Sequence, residues 1–124
     1  MILGLGCDIM DTARMKLRLE EDPLLTGSLF TSAEIQYCET QRYPERHFAA
    51  RFAAKEALLK ALPGPKLCSI PWREIESAHD QNGRPQLHLT GSLRELALKL
   101  SVSRIHLSLS HTKDSALAVV MLEA

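Results

Sequence analysis

The spacing of apolar and polar positions changes several times along this chain, and each change marks an element. Residues 2–9 are apolar and punctuated by Gly4 and Gly6, which suits a buried strand ending near Asp8. Residues 12–21 carry helical spacing, with Ala13 and Leu17 on one face, until Asp22-Pro23 stops them. Thr31-Ser32-Ala33-Glu34 is a capping-box signature, with Thr31 as N-cap and Glu34 reaching back to it, and it opens a short helix to about Gln41. Pro44 fits the first position of a longer helix, 44–62, which Pro63-Gly64-Pro65 ends. The interior of that helix is mostly alanine with Phe48, Phe52, Leu58 and Leu59, a composition that favours helix and lets a neighbouring backbone come close.

Residues 72–78 and 86–90 flank Asn82-Gly83, the strongest short-range hairpin signal in the chain. Residues 92–100 carry Leu93, Leu96, Leu98 and Leu100 at near-helical spacing. Ile105, Leu107 and Leu109 then alternate with His106, Ser108 and Ser110, the period of a half-buried strand. After a tight turn at 111–114, residues 116–122 form an unbroken apolar run that predicts a strand buried on both faces. The class expected is α+β: one domain spanning 1–124, with a long helix packed on a small antiparallel sheet shared by strands from both chain ends.

Size and charge narrow the functions available. A chain of 124 residues that is 45% hydrophobic fits one domain with a proper core. Its radius of gyration as a monomer is about 14 Å, little room to enclose a large cofactor, so an oligomer with a shared cleft stays in view. Fifteen basic residues balance fifteen acidic ones and only 5% are aromatic, which argues against nucleic-acid partners. The three cysteines, Cys7, Cys38 and Cys68, form no CxxC pair, so mostly buried free thiols in a reducing cytoplasm are expected. The N-terminus reads as no secretory signal, and no apolar run approaches the roughly 18 residues that span a bilayer, so no membrane partner is expected.

A few residues could carry chemistry, and each has a plain reading beside the functional one. Asp8 is either a solvated strand end or a cation ligand at the rim of a sheet. On the long helix, Glu56 shares a stripe with Ala49, Ala53 and Lys60. Glu56 and Lys60 could be a surface ion pair worth ~0.3–0.5 kcal/mol. Alternatively, the small residues leave a shallow groove beside an acid and a base, which suits a polyphosphate with its metal. His111 sits where a strand breaks into a turn, as a turn residue or a ligand. Pro63-Gly64-Pro65-Lys66 is a helix terminator or a phosphate-facing loop, without the spacing of a P-loop. Arg14 and Arg18, four apart on the first helix, are either a solvated face or a like-charged pair that an acidic partner would relieve. No zinc spacing and no hydrolase nucleophile appears.

Taken together, Gly4-Leu5-Gly6-Cys7-Asp8-Ile9, Arg51-Phe52-Ala53-Ala54-Lys55-Glu56-Ala57 and Leu107-Ser108-Leu109-Ser110-His111 come in an order that resembles the holo-acyl-carrier-protein synthases, the short 4′-phosphopantetheinyl transferases. Trp72-Arg73-Glu74-Ile75-Glu76 and Asn82-Gly83-Arg84-Pro85 fall between them, so the resemblance covers nearly the whole chain. It implies an α+β subunit in a homotrimer with coenzyme A bound between subunits. The implied reaction moves phosphopantetheine from coenzyme A to a serine of apo acyl carrier protein, releasing 3′,5′-ADP. By the same resemblance Asp8 and Glu56 hold Mg²⁺, and Lys60 neutralises phosphate. Arg51, Lys55, Lys60, Gly64 and His111 contact coenzyme A, His111 from a neighbouring subunit. Arg14 lies on the docking helix for the acidic carrier, and Arg18 joins it by spacing. Because the nucleophile belongs to the carrier, this chain need supply none.

Two departures stand out. The family's glycine-rich turn after the long helix is replaced by the stiffer Pro63-Gly64-Pro65 run, and Pro71 precedes Trp72 where it can set an edge strand. Two other classes compete with the enzyme. A non-catalytic coenzyme A or carrier-protein binding subunit would have no need for a metal carboxylate pair, and an unrelated Mg²⁺ phosphohydrolase would want further acids near Asp8.

Overall fold

In the computed structural model all 124 residues are described. The chain runs β1 (Ile2–Asp11), α1 (Thr12–Glu21), α2 (Leu25–Leu29), α3 (Ser32–Glu39), α4 (Pro44–Ala61), a 3-10 turn (Trp72–Glu74), β2 (Ile75–His79), β3 (Pro85–Leu89), α5 (Gly91–Lys99), β4 (Arg104–His111) and β5 (Ser115–Glu123). β1 and β4 both pair antiparallel with β5, giving the order β1-β5-β4, so strands from the two chain ends do share one sheet. β2 and β3 form a separate antiparallel hairpin. Its connection is a five-residue loop, residues 80–84: Asp80 accepts from the backbone of Asn82 and Arg84, and Gly83 takes the positive φ of 81° the turn requires.

α4 lies across the inner face of the sheet, and its alanines are the reason it can. Ala49, Ala53, Ala54 and Ala57 are fully buried. A Cβ on Gly6 would be driven into the carbonyl oxygen of Ala57, and one on Gly4 into that of Ala61. Strand and helix therefore touch backbone to backbone. Gly6→Ala should force them apart and lower unfolding stability by about 3 kcal/mol, read as a drop in the urea midpoint. A midpoint equal to the parent's would contradict this packing.

Several elements differ from what the pattern predicts. β5 is buried on one face only: Ala116, Ala118, Val120 and Leu122 are enclosed, whereas Leu117 is exposed and Val119 and Met121 are half-buried. The apolar run reads as two buried faces because this strand's outer side is apolar as well. Trp72 and Arg73 lie in the 3-10 turn and not in the strand, since the amide of Glu74 turns back to the carbonyl of Pro71. On α1 the Ala13 and Leu17 face is exposed, and Thr12 and Met15 are the buried residues. α2 is a single short helix around Gly27 with no side-chain cap, so its sequence carries no helix signal. Of the thiols only Cys38 is buried, with its pKa pushed up to about 12 chiefly by that burial; Cys7 and Cys68 are exposed.

Candidate active site

The inward row of β1 runs Gly4, Gly6, Asp8, Met10, because residues two apart face the same side. The two glycines let α4 settle on the strand, and the next inward residue, Asp8, is thereby delivered to the helix face that carries Glu56 and Lys60. Lys60 Nζ donates to Asp8 Oδ1 at 2.9 Å and to the Cys7 carbonyl at 3.1 Å. The bond to Asp8 is the main cause holding the Lys60 ammonium above its ordinary pKa. Glu56 is half-buried, and its carboxyl is held above the usual range first by burial and then by the Asp8 charge. Two carboxylates thus meet at one place, and each disfavours the charge of the other.

Glu56 and Lys60 stand on the ridge between two clefts. One, of about 460 Å³, is walled by Leu59, Leu62, Gly64, Pro65 and Ile70, with Gly64 at a positive φ of 105°. The other, of about 490 Å³, holds Asp8, Arg14, Arg18 and an apolar wall that includes Leu29, Phe52 and Trp72. Asp8, Glu56, Lys60, Gly64, Arg14 and Arg18, which are distant in sequence, are therefore brought together. The shallow alanine groove expected beside Glu56 is absent. Ala49 and Ala53 are fully buried, and larger apolar side chains shape the clefts instead.

Three expected contacts of coenzyme A stand elsewhere. Lys55, expected at the coenzyme, is fully enclosed and faces the core. Its ammonium donates to Glu34 Oε1 at 2.6 Å, to the Leu29 carbonyl at 2.6 Å and to the Trp72 carbonyl at 3.1 Å. All three of its protons are used, so it cannot also meet a phosphate. Burial pulls its pKa down, and Glu34 opposes that shift. Arg51 is buried with its guanidinium 4.3 Å from the centre of the Tyr37 ring, and its Nε has no partner. His111 ends β4 on the far edge of the sheet, two strands from Asp8. Around Tyr37 gather His47 and His79, with ring centroids 5.7 Å and 5.4 Å away. Burial lowers the pKa of His47 most, and the positive charges of Arg51, His111 and His79 lower it further. None of Arg51, Tyr37, His47 and His79 lines either cleft.

The sequence gives no sign of the Leu29, Phe52 and Trp72 wall or of the Glu34–Lys55 pair. Glu34 is fully accounted for locally by its capping box, whose two bonds are present. Only the tertiary fold reveals that its carboxylate also meets Lys55, 21 positions on, and the backbone amide of Ser77.

Known proteins resemble this chain over nearly its whole length. Residues 4–120 match the model of the 4′-phosphopantetheinyl transferase superfamily. A holo-[acyl-carrier-protein] synthase from Syntrophus aciditrophicus is 41% identical over 124 residues, covering 99% of this chain and 97% of that protein. The fold superposes on the crystal structure of the Neisseria meningitidis synthase with a TM-score of 0.91 at 30% identity, with both chains covered completely. It also matches a Bacillus anthracis synthase solved in complex with coenzyme A (3′,5′-ADP), with a TM-score of 0.81 at 29% identity over 100% of this chain and 98% of that one. The chain belongs to the holo-acyl-carrier-protein synthase family of the 4′-phosphopantetheinyl transferase superfamily.

Proposed function

We propose that this protein is an enzyme that transfers 4′-phosphopantetheine from coenzyme A to a serine hydroxyl of apo acyl carrier protein, yielding holo carrier and 3′,5′-ADP. The observation that carries this reading is the meeting of Asp8 with Glu56 and Lys60, the two residues that stand on the ridge between two clefts. One cleft has a mostly apolar lining, and the other, of similar size, is rimmed by Arg14 and Arg18. Transfer needs two bound partners and a charged centre between them, and this layout supplies all three.

In the reaction the serine oxygen forms a bond to the phosphorus that bears pantetheine. The bond from that phosphorus to the bridging oxygen breaks, and its electron pair leaves with 3′,5′-ADP. Negative charge grows on the diphosphate oxygens, and the Lys60 ammonium stands where it can offset that growth without moving. Glu56 lines both clefts, so its carboxylate is the group placed to take the serine proton. Asp8 and Glu56 would hold Mg²⁺. Two carboxylates fit that ion, which completes its shell with phosphate oxygens and water, and their mutual repulsion fits a site built for a cation. Bound there, Mg²⁺ supplies charge neutralisation at the diphosphate.

Coenzyme A occupies the cleft that contains Gly64, and the acidic carrier docks on Arg14 and Arg18. Arg51 and His111 reach coenzyme A from a neighbouring subunit of a homotrimer. Two observations support that assembly. None of Arg51, Tyr37, His47 and His79 lines a cleft of its own chain, and the outer face of the sheet exposes Leu5, Ile9 and Leu117. A lone sheet face in water normally carries polar residues, so an apolar one calls for a covering surface. We place the reaction in the cytoplasm: the three cysteines are unpaired and no helix is long and apolar enough to cross a membrane.

The test is the mass of apo carrier after incubation with coenzyme A, Mg²⁺ and this protein. A gain of one phosphopantetheine supports the enzyme, whereas tight binding with no gain overturns it in favour of a binding subunit. Within this reading, Arg14→Glu should raise KM for the carrier about tenfold and leave KM for coenzyme A unchanged, since one reversed contact at a charged rim costs about 1.4 kcal/mol. Equal losses for both substrates in steady-state kinetics would contradict the docking role.

A further inference from the structure

Lys55 and Glu56 are adjacent on α4 yet serve opposite sides of one wall. Glu56 faces the cleft, whereas the Lys55 ammonium lies behind it, bonded to the carbonyls of Leu29 and Trp72. Those two residues, with Phe52, make the apolar wall of the cleft that holds Asp8, Arg14 and Arg18. Neither comes from a long element. Leu29 ends the five-residue α2, and Trp72 begins the three-residue turn after the loop 62–71. Such short pieces have little intrinsic stability and take their position from what they are tied to.

The tie is a closed network. Glu34 Oε1 accepts from Lys55 and from the Thr31 amide at 2.9 Å, and Glu34 Oε2 accepts from the Ser77 amide at 3.0 Å. Thr31 Oγ1 donates to Glu76 Oε2 at 2.7 Å. One ammonium thus joins α2, α3 and the 3-10 turn to α4, and Glu34 extends the tie to Ser77 in β2. A buried ion pair replaced by apolar side chains is often neutral or stabilising, so fold stability alone is a weak reason for a charge at this point. An apolar side chain could fill the same space but could hold neither carbonyl.

We propose that Lys55 is a positioning residue for transfer: by holding the Leu29 and Trp72 carbonyls it fixes the wall against which the carrier presents its serine. The proposal rests on the reading above of this cleft as the carrier's side of the site. Lys55 touches no substrate, so its effect falls on how well the carrier seats.

Two variants separate this role from a merely structural one. Lys55→Gln removes the charge and ends one atom short of the Nζ position, so it cannot hold both carbonyls. Glu34→Gln weakens the ion pair yet leaves both carbonyl bonds in place. Trp72 is the only tryptophan in the chain, so its fluorescence reports on the wall directly. Lys55→Gln should raise KM for the carrier about tenfold, leave KM for coenzyme A within twofold and red-shift Trp72 emission. Glu34→Gln should lower the thermal midpoint while carrier KM and Trp72 emission stay at parental values. If carrier KM rises in both variants in step with lost stability, or stays parental in Lys55→Gln, the proposal is wrong. Should Lys55→Gln not fold, Glu34→Gln decides alone: an unchanged carrier KM and emission support the proposal, and a shift in either overturns it. A parent protein that transfers nothing would sink the functional reading, and the Trp72 emission of the variants would still judge the positioning.

Discussion

Asp8→Ala and Glu56→Ala should each lower transfer to the carrier by about 10³-fold while leaving the protein folded. The size follows from removing a fixed charge aimed at a reacting diphosphate, which costs on the order of 10²–10³ in rate for a single group and more where a cation is lost with it. The fold survives because neither side chain holds it together. Asp8 contributes one ion pair to a half-exposed Lys60, a contact worth about 0–1 kcal/mol. Glu56 works against the fold. Its carboxyl pKa is raised, so its stabilising contribution is present below the unfolded value and is lost as pH climbs through the folded one. Glu56→Gln should therefore raise the urea midpoint slightly at neutral pH without divalent cation, while transfer is lost. Near-parental rates in both alanine variants, assayed with Mg²⁺, would contradict the ligand assignment. A Glu56→Gln variant less stable than its parent would contradict the electrostatic picture of the ridge.

Ile9→Asp should break the assembly and reduce transfer about 100-fold. Ile9 is exposed on the sheet face opposite α4, in the row that brings it beside Leu117, and a charge buried there between subunits would go unpaired. On the proposed homotrimer, sedimentation velocity should show the parent as three chains and the variant as one. The activity loss is separate from any loss of folding. A monomer has its own Asp8, Glu56 and Lys60 but lacks the neighbour's Arg51 and His111. Charge-assisted contacts of that kind contribute about 1.5–3 kcal/mol each. A fully active monomer would contradict the shared site, and an unchanged trimer would contradict the choice of face.

Much of the fold was legible because the local signals agreed with the tertiary ones. The capping box at Thr31 and Glu34, the proline at the start of α4 and the Asn82-Gly83 hairpin all appear where the sequence places them. What failed did so for identifiable reasons. The both-faces reading of β5 measured apolar side chains, which cannot distinguish a face covered by the chain itself from one left bare. Ala49 and Ala53 suggested an open groove but are enclosed in the core, and Ala57 and Ala61 are spent on closeness to Gly6 and Gly4. At the site, the resemblance already implied that Asp8 and Glu56 meet over one ion, whereas the Lys60–Asp8 contact depends on where α4 crosses β1 and shows only in the fold. Lys55 was misplaced for the opposite reason: it shares a motif with Glu56, and on a helix adjacent residues point about 100° apart. Its partners come from α2, α3 and the 3-10 turn, which no spacing along the chain connects.

The most direct measurement is a crystal structure of this protein grown with coenzyme A and magnesium. One ion should lie beside the diphosphate with a carboxylate oxygen from Asp8 and another from Glu56 in its shell. Side chains of Asp8 and Glu56 directed to different regions, with the diphosphate bound away from both, would contradict that placement.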